Sequence, residues 1–380
     1  MDLRITISLC KLKARVVRVP GQGTNGIMRT MHPDVFSGVP TVVGSFPHVD
    51  AEALVAEILR RLPNMPAWPQ LPARDFRESM YVQYSEGLPG AVIDAERQRI
   101  FFRMDEAFTD QLEAFYQAVV EGDVARFAIS REYALGLHVF LDAVPRLGDR
   151  RPAWVKGQVT GPFSFAMTVT DEGKRALAYT PELYEVAVQG MTMKARWMTR
   201  ALRQVAEGVL VVLDEPYLCS FGSAFVNVSR EDVMAALNGA AAAVHAEGAL
   251  CGLHCCGNTD WSLVLQTDVD VVNFDAHEYF QGLSLYPTEL GTFLERGGVL
   301  SWGIVPASGA AAVIGATALR RELDTHIADL VRKGLDRKHL VRQLLLTPSC
   351  GMGTRSVAEA DQVLDVLTEL AASWRPEGVA

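Results

Sequence analysis

The sequence lacks the features that define several large protein classes. No apolar run reaches the roughly 18 residues that a membrane-spanning helix requires. Lys and Arg number 36 against 45 Asp and Glu, giving a formal charge of −9, and no basic patch carries interleaved aromatic residues. We therefore predict neither a membrane nor a nucleic-acid partner. Cysteine is scarce, with six in 380 residues, which excludes a disulfide scaffold and favours a reducing, cytoplasmic location.

What the sequence does contain is a regular alternation of short apolar runs and helical segments from residue 154 onward. Residues 209–213 (VLVVL) are typical of a strand that is buried on both faces. Four more runs repeat this strand pattern: residues 249–254, 270–275, 299–306 and 344–347. Strands that alternate with helices imply βαβ units and a parallel sheet.

Reactive polar residues follow the predicted strands, namely Asp214, His254, Asp275 and Cys350. In a β/α barrel the carboxyl ends of all strands open onto one face, where active sites lie. A doubly wound open sheet gathers its functional groups mainly at one switch point, and no glycine-rich nucleotide fingerprint follows a strand here. We therefore predict an α/β fold consisting of a single eight-stranded β/α (TIM) barrel.

Two regions precede the regular part of this predicted barrel. Residues 1–38 form a basic lead whose apolar stretch is too short for a secretory signal core, and we assign it no role. Residues 39–46 predict the first strand, and residues 64–90, rich in Pro, Trp and Tyr, predict an ordered excursion after it. The barrel domain is expected to span residues 39–380.

The segment His254-Cys255-Cys256 is the sharpest chemical signal. In extended backbone, side chains two residues apart point to the same side, so His254 and Cys256 can converge on one ion while Cys255 faces away. An imidazole nitrogen and a thiolate sulfur suit zinc, which needs about four ligands, or three and an open position. Cys350 is the natural third ligand, and Asp275 can supply a carboxylate. The alternative is a pair of buried cysteines beside a hydrogen-bonded histidine.

Two further strand ends offer binding groups. Asp214, which follows residues 209–213, can hold a substrate ammonium group or act as a base, or it can be a structural carboxylate paired with an arginine. Gly44-Ser45, after the first strand, can cradle a carboxylate through backbone amides or form a plain turn. The residues alone leave both choices open.

Taken in order, these residues resemble the catalytic half of cobalamin-independent methionine synthase, within the barrel superfamily that includes uroporphyrinogen decarboxylase. The resemblance extends over residues 40–374, and six motifs carry it: Val43-Gly44-Ser45-Phe46-Pro47, Arg77-Glu78-Ser79-Met80, Lys156-Gly157 with Thr160-Gly161-Pro162, Asp214-Glu215-Pro216, His254-x-Cys256 with Asp275, and Cys350-Gly351 with Thr354-Arg355. Residues 39–380 would then form a methionine synthase-like methyltransferase domain.

The resemblance implies a zinc site and a thiol site side by side. Zinc would lower the pKa of a bound thiol and hold it as a nucleophilic thiolate against a methyl donor. Asp214, the expected catalytic residue, would hold the amine of homocysteine, and Ser45 would lie near its carboxylate. The implied zinc ligands are His254, Cys256, Asp275 and Cys350, with Glu278 as a rival to Asp275. The implied substrate-binding residues are Val43, Gly44, Ser45, Arg74, Asp214 and Ser308.

Differences from the family concern mainly the methyl donor. Thr168 stands where the family has a folate-stacking Trp, and Ser308 stands where a His protonates the departing folate. The family's N-terminal barrel, which grips polyglutamyl folate, has no counterpart in this sequence. We therefore expect a donor other than methyltetrahydrofolate, such as a methylated corrinoid, free or on a protein, which needs no protonation on leaving. On the thiol side, Arg74 replaces a homocysteine-binding Glu.

The predicted function is zinc-dependent methyl transfer to a small thiol, with homocysteine as the expected substrate and methionine as the product. One alternative is a corrinoid-linked transfer to another thiol, of the coenzyme M type, with Arg74 binding its anionic group. Another is a zinc-binding, non-catalytic partner of a corrinoid protein. A metal-free decarboxylase of the uroporphyrinogen type would leave His254, Cys256 and Cys350 without a role.

Overall fold

The computed structural model describes residues 36–374, so all but residues 36–38 of the predicted basic lead lie outside the described chain. Residues 36–374 contain ten strands: β1 (Val39–Pro40), β2 (Ala91–Asp94), β3 (Arg99–Phe102), β4 (Trp154–Thr160), β5 (Thr170–Asp171), β6 (Gly208–Asp214), β7 (Leu250–Cys255), β8 (Val271–Phe274), β9 (Val299–Val305) and β10 (Leu344–Pro348). The five predicted apolar runs after residue 208 correspond to β6–β10.

Seven of these strands form one sheet in which every neighbouring pair is parallel. Their order is β1-β10-β9-β8-β7-β6-β4. The sheet curls into a half-barrel, with β1 at one edge, beside β10, and β4 at the other edge. Nearly all side chains of β6–β10 are buried, as expected for parallel strands covered on both faces.

The prediction of a closed eight-stranded barrel was wrong, because the position between β1 and β4 holds no strand in the described chain. Residues 66–70 occupy it, and they make only isolated bridges, to β4 on one side and to Ser45 on the other. Pro66 and Pro69 have no N–H group, so this segment cannot form the continuous hydrogen-bond ladder of a central strand. The predicted α/β class is correct, but the main sheet has seven strands.

Helices connect the parallel strands and pack against them. The longest helix, α6 (Pro181–Arg203), contacts β4 and β6, while α7 (Arg230–Ala246) contacts β7 and α14 (Val357–Ser373) contacts β10. Ser356, with Glu359 three residues later, is the sequence pattern that predicts a capping box at a helix start. Helix α14 begins with this capping box, in which Ser356 and Glu359 bond reciprocally to each other's backbone. The helices in the described chain are α1 (Ala51–Arg61), α2 (Met80–Gln83), α3 (Phe108–Glu121), α4 (Leu135–Ala143), α5 (Pro162–Thr168), α6 (Pro181–Arg203), α7 (Arg230–Ala246), α8 (Trp261–Leu265), α9 (Phe280–Leu283), α10 (Pro287–Glu295), α11 (Ala310–Ile314), α12 (Ala316–Arg332), α13 (Arg337–Arg342) and α14 (Val357–Ser373).

The predicted excursion at residues 64–90 is ordered. It contains a short 3-10 helix, Phe76–Glu78, followed by α2, and it buries the side chains of Trp68 and Tyr84 completely. A small second sheet follows, in which β3 pairs antiparallel with β2 and parallel with β5. Across residues 36–374, the helices are all too short or too polar to span a bilayer.

Candidate metal centre

Strand register brings polar side chains together at the carboxyl ends of neighbouring strands. Thr160 of β4 is the Cα partner of Asp214 of β6, and Asp214 is in turn the partner of His254 of β7. Parallel pairing in this register places the three side chains on the same face of the sheet. All three are buried. The strand ends therefore build a buried polar site on one face of the sheet.

His254, Cys256 and Cys350 form the centre of this site. Their ligand atoms, one ring nitrogen and two sulfurs, all lie within 4.8 Å of one another. Cys256 lies one residue beyond β7, and Cys350 lies two residues beyond β10. Cys255, by contrast, belongs to the hydrophobic core. The predicted convergence of His254, Cys256 and Cys350 is therefore confirmed.

The two cysteine sulfurs of the centre are electrostatically unequal. Hydrogen bonding from Cys256, together with the facing His254, lowers the pKa of Cys350 against the effect of burial. The same contact and burial raise the pKa of Cys256. Burial opposes a charge on His254, but the Cys350 sulfur more than offsets this and raises the pKa of the imidazole. These two directions favour a negative charge on Cys350 over one on Cys256, and neither cysteine forms a disulfide.

These residues fit a bound metal ion. Neither ring nitrogen of His254 makes a hydrogen bond to a nitrogen or oxygen atom, although the ring is only 3% exposed. A buried polar atom without such a partner is costly unless a ligand satisfies it. A cation can hold the two sulfurs as thiolates, and together with the imidazole they form a ligand set that soft divalent ions accept. This set leaves a further coordination position for another ligand.

Asp214 lies beside this cluster with one carboxylate oxygen unsatisfied. The side chain is 7% exposed, and its Oδ1 has no hydrogen-bond partner. Burial raises the pKa of Asp214 to about 6, while the nearby charges of His254 and Lys156 act in the opposite direction. Within residues 36–374 no arginine is among the charges that act on it, which removes the arginine-paired alternative. Oδ1 is therefore available to a hydrogen-bond donor from a ligand.

Asp275 and Glu278 do not join the cluster. Asp275 directly follows β8, and its Oδ1 accepts a hydrogen bond of 2.9 Å from the backbone N–H of Glu278. Burial raises the pKa of Asp275 to about 6. The cluster found among the described residues contains no carboxylate. Metal ligation by either residue therefore stays a prediction.

The Gly44-Ser45 loop is held directly against the segment that follows Cys350. The carbonyl oxygen of Ser45 accepts a hydrogen bond of 2.8 Å from the N–H of Met352, and its Oγ accepts one of 3.3 Å from the N–H of Gly353. The structure thus brings the predicted substrate-binding loop next to a predicted metal ligand, although the two lie near opposite ends of the described chain.

A buried lysine of β4, Lys156, forms a hydrogen bond to the backbone just before the Gly44-Ser45 loop. Lys156 Nζ donates a hydrogen bond of 2.5 Å to the carbonyl oxygen of Val43, and burial lowers the pKa of this lysine to about 8. Gly44 has a φ of +141°, and a Cβ at this position would lie 2.4 Å from the side chain of Gln158. Only glycine can therefore occupy this turn.

Arg74 and Ser308, the other predicted substrate-binding residues, are both engaged within the protein. Arg74 pairs with Glu78, a fully buried carboxylate that also accepts a hydrogen bond of 3.2 Å from the N–H of Leu71. Ser308 lies in the loop after β9, and its Oγ accepts a hydrogen bond of 3.3 Å from the N–H of Ala310. Their participation in substrate binding stays a prediction.

The sequence assigned no role to two residues that lie close to the centre, although Lys156 belongs to one of the six motifs that carry the resemblance. The charge of Lys156 acts to lower the pKa of Asp214, and the charges of Asp214 and Cys256 act to raise the pKa of Tyr81. A signal for Lys156 was present, because polar residues alternate in β4, from Lys156 through Gln158 to Thr160, on the face that bears Asp214 in β6. Tyr81 follows no strand and carries no comparable signal.

Comparison with known proteins adds little to this geometry. The sequence matches no protein-family model, and no curated protein is significantly similar to it. One solved structure with some similarity is a crystal structure of an amidohydrolase, at 12% sequence identity and a TM-score of 0.25. The aligned part covers 61% of this chain and 63% of that chain. A likeness at this score carries no argument about fold or activity, so the functional conclusion depends on the site itself.

Proposed function

We propose that this protein is a zinc-dependent methyltransferase that transfers a methyl group to the sulfur of a small thiol. One observation carries the proposal: the imidazole of His254 and the sulfurs of Cys256 and Cys350 lie within 4.8 Å of one another, and the buried His254 nitrogens have no oxygen or nitrogen partner. A bound zinc ion would lower the pKa of the substrate thiol and keep its sulfur nucleophilic at neutral pH.

Homocysteine is the thiol that the surrounding groups fit best. The unsatisfied Oδ1 of Asp214 is a buried acceptor for the substrate ammonium group. The Gly44-Ser45 loop, packed beside Cys350, would receive the carboxylate. A thiol with only an anionic tail, of the coenzyme M type, would leave Asp214 unpaired, and the guanidinium of Arg74 is already paired with Glu78.

The reaction is a displacement at the methyl carbon. The substrate sulfur forms a bond to this carbon while the bond from carbon to the donor breaks, and the electron pair of that bond leaves with the donor. A donor whose leaving atom needs no proton suits this chain. Ser308, in the loop after β9, carries a hydroxyl at the position where the family has an imidazole that protonates the leaving group. We therefore propose a methylated corrinoid, free or on a protein, as the donor, acting in a reducing, cytoplasmic compartment where the cysteines stay as thiols.

The proposal is tested by measuring zinc and methyl transfer on the same preparations. Wild type, Cys256→Ser and Cys219→Ser are purified under reducing conditions, and zinc is counted by mass spectrometry. Each is then assayed with methylcobalamin or 5-methyltetrahydrofolate as donor and with homocysteine or 2-mercaptoethanesulfonate as acceptor. Cys219 is exposed and lies outside the cluster, so its variant is the matched control for loss of a thiol.

We expect about one zinc per chain in wild type and in Cys219→Ser, with methionine formed from homocysteine and methylcobalamin. Cys256→Ser should lose most of the zinc and all measurable turnover, because a serine hydroxyl is a poor zinc ligand. Turnover retained by Cys256→Ser would contradict the proposal. Zinc binding without methylation of any thiol would support the metal centre and overturn the methyl transfer.

A further inference from the structure

Asn273 links three neighbouring strands on the face of the sheet that carries His254. It is the Cα partner of His254 across β7 and β8, and it is only 4% exposed. Its Nδ2 donates hydrogen bonds of 2.8 Å to the carbonyl oxygen of Ser301 in β9 and of 2.8 Å to the hydroxyl oxygen of Thr347 in β10. A third acceptor, the hydroxyl oxygen of Ser301, lies 3.1 Å away. One buried amide group therefore joins β8, β9 and β10.

The hydrogen bond from Asn273 to Thr347 crosses over β9. Neighbouring strands lie about 4.8 Å apart, so a flat sheet would hold β8 and β10 about 9.6 Å apart, with their side chains parallel to one another. Side chains as short as those of asparagine and threonine cannot bridge this gap in a flat sheet. They meet only where the sheet curls and both stand on its concave face. The bond therefore fastens the curl of β8–β10 on the face that bears His254.

Thr347 lies where β10 changes register on the way to Cys350. Thr347 pairs with Gly303 of β9, whereas the next residue, Pro348, pairs with Val305. A bulge of this kind bends the strand and changes the direction of the side chains that follow. Thr347 is the last residue before this shift, so its position determines where the chain begins the turn that ends at Cys350.

The chain on either side of β9 comes unusually close at Gly303. A Cβ added to Gly303 would lie 2.5 Å from the carbonyl oxygen of Phe274 in β8 and 2.9 Å from the Cα of Ser349, which follows β10. No side chain fits between backbone atoms at these distances. The same convergence of β8 and β10 brings Cys350 toward the end of β7, where the other two predicted metal ligands lie.

We propose that Asn273 is a positioning residue for the metal centre and that it acts on Cys350 through Thr347. Its amide holds the end of β10 toward β8, which keeps the Cys350 sulfur near the two ligands at the end of β7. Asn273 is not itself among the ligand groups that meet in the cluster. This inference rests on the proposed function, because it explains how the ligand spacing required by that function is maintained.

Two matched variants separate the bond to β10 from the bonds to β9. Thr347→Val replaces a hydroxyl by a methyl group of similar size, so it removes only the link from Asn273 to β10. Ser301→Ala removes a hydroxyl acceptor of the same amide but leaves both the carbonyl bond and the link to β10. Thr347→Ser keeps the hydroxyl and is the conservative variant that should restore wild-type behaviour.

Two sets of measurements are made on the full-length proteins, and neither requires methyl transfer. The first is the Kd for zinc, from competition with a chelator, together with the sulfur-to-cobalt charge-transfer absorption of the cobalt(II)-loaded protein, which reports how many thiolates bind the metal. The second is the rate at which diamide, by accepting two electrons and two protons, converts Cys256 and Cys350 of the metal-free protein into a disulfide. Mass spectrometry identifies this disulfide, and urea unfolding of the metal-free proteins measures stability separately.

We expect Thr347→Val to bind zinc about tenfold or more weakly than wild type, as is typical when a residue that supports a metal ligand is lost. Its charge-transfer absorbance per cobalt should fall, and the disulfide should form more slowly, because Cys350 is no longer held near Cys256. Ser301→Ala and Thr347→Ser should match wild type in all three readouts. A purely structural role would lower only the urea midpoint of Thr347→Val.

Two results would overturn the inference. One is a Thr347→Val variant with the zinc affinity, cobalt spectrum and disulfide rate of wild type. The other is an equal loss in Thr347→Val and Ser301→Ala. The proposed function fails differently, through a wild type that binds no zinc or that binds zinc without methylating a thiol. In either case the disulfide rate still tests the spacing of Cys256 and Cys350, so the two failures are distinguishable.

Discussion

Ser45 packs directly against Gly351, so closely that a Cβ added to Gly351 would lie 2.1 Å from Ser45 Oγ. The contact joins the loop after the first strand to the residue that follows Cys350. Hydrogen bonds from Met352 and Gly353 to Ser45 reinforce it. The position of a predicted metal ligand therefore depends on a loop from the far end of the chain, and the glycine is required by close approach.

Gly351→Ala tests this contact. The added methyl group overlaps Ser45 Oγ, and overpacking of this kind costs about 1–3 kcal/mol of unfolding free energy. Combining it with Ser45→Ala should restore part of the loss, since the Cβ of Ser45 lies at an ordinary 3.4 Å from the added atom. Urea unfolding measures the effect. Gly239→Ala, in α7 with no atom near the added Cβ, is the control and should not destabilise the protein. Equal stability of Gly351→Ala and wild type would contradict the packing.

Asp214→Asn tests the ammonium site. The change keeps the shape of the side chain and removes its charge, so the KM for homocysteine should rise about tenfold or more while the zinc content stays constant. 4-Mercaptobutanoate, which is homocysteine without its amine, provides the matched comparison. Wild type should use 4-mercaptobutanoate as poorly as Asp214→Asn uses homocysteine. Removing the Asp214 charge and the substrate amine together should cost no more than removing either one. Additive losses would show that Asp214 and the amine do not interact.

Lys194→Met tests a buried lysine outside the centre. Lys194 is fully buried in α6, and its Nζ donates hydrogen bonds of 2.7 Å to the carbonyl oxygen of Glu86 and 3.4 Å to that of Ala128. Removing the ammonium leaves both carbonyls without this donor, and we expect a loss of about 2–4 kcal/mol in unfolding free energy. Lys338→Met, at an exposed position of α13, should change it by less than about 0.5 kcal/mol. A smaller loss of unfolding free energy in Lys194→Met than in this control would contradict a stabilising role for the two hydrogen bonds of Lys194.

We expect His326 to make the stability of the protein sensitive to acid. Its ring stacks on Phe280 with centroids 3.8 Å apart, its Nδ1 has no hydrogen-bond partner, and burial lowers its pKa from 6.5 to about 4. Between these two values the unfolded chain binds a proton that the folded protein excludes, so the free energy of unfolding falls as the pH is lowered from 6.5 toward 4. We expect this residue to account for a loss on the order of 2 kcal/mol, allowing for its partial exposure.

His326→Phe checks this pH dependence, because phenylalanine keeps the stacked ring and cannot be protonated. Urea unfolding of wild type and variant at several pH values from 7 down to 4 should show a flatter profile for the variant. Parallel profiles would mean that the acid sensitivity arises elsewhere.

The local features of the fold were readable from the sequence because short-range physics decides them. The continuous apolar run at residues 209–213 identified β6, and Ser356 with Glu359 identified the start of α14. The spacing His254-x-Cys256 identified two groups that converge, since side chains in extended backbone alternate. Each of these depends on residues that are neighbours in the chain.

The closure of the sheet was not readable in the same way. An alternation of strands and helices is compatible with a closed barrel and with an open half-barrel. Which of the two forms depends on whether residues 66–70 can form a full ladder of hydrogen bonds. Pro66 and Pro69 are visible in the sequence, but that this segment occupies the gap between β1 and β4 is a tertiary fact. The eight-stranded prediction failed for this reason.

The sequence by itself determined which chemical groups the site contains and on which strand ends they lie. Only the tertiary structure decided that His254, Cys256 and Cys350 meet within 4.8 Å, that Asp214 keeps an unsatisfied buried oxygen, and that Asp275 turns to the N–H of Glu278. The physical reason is that distances across a sheet depend on register and curl, and that the cost of a buried polar atom depends on every neighbour that packs around it.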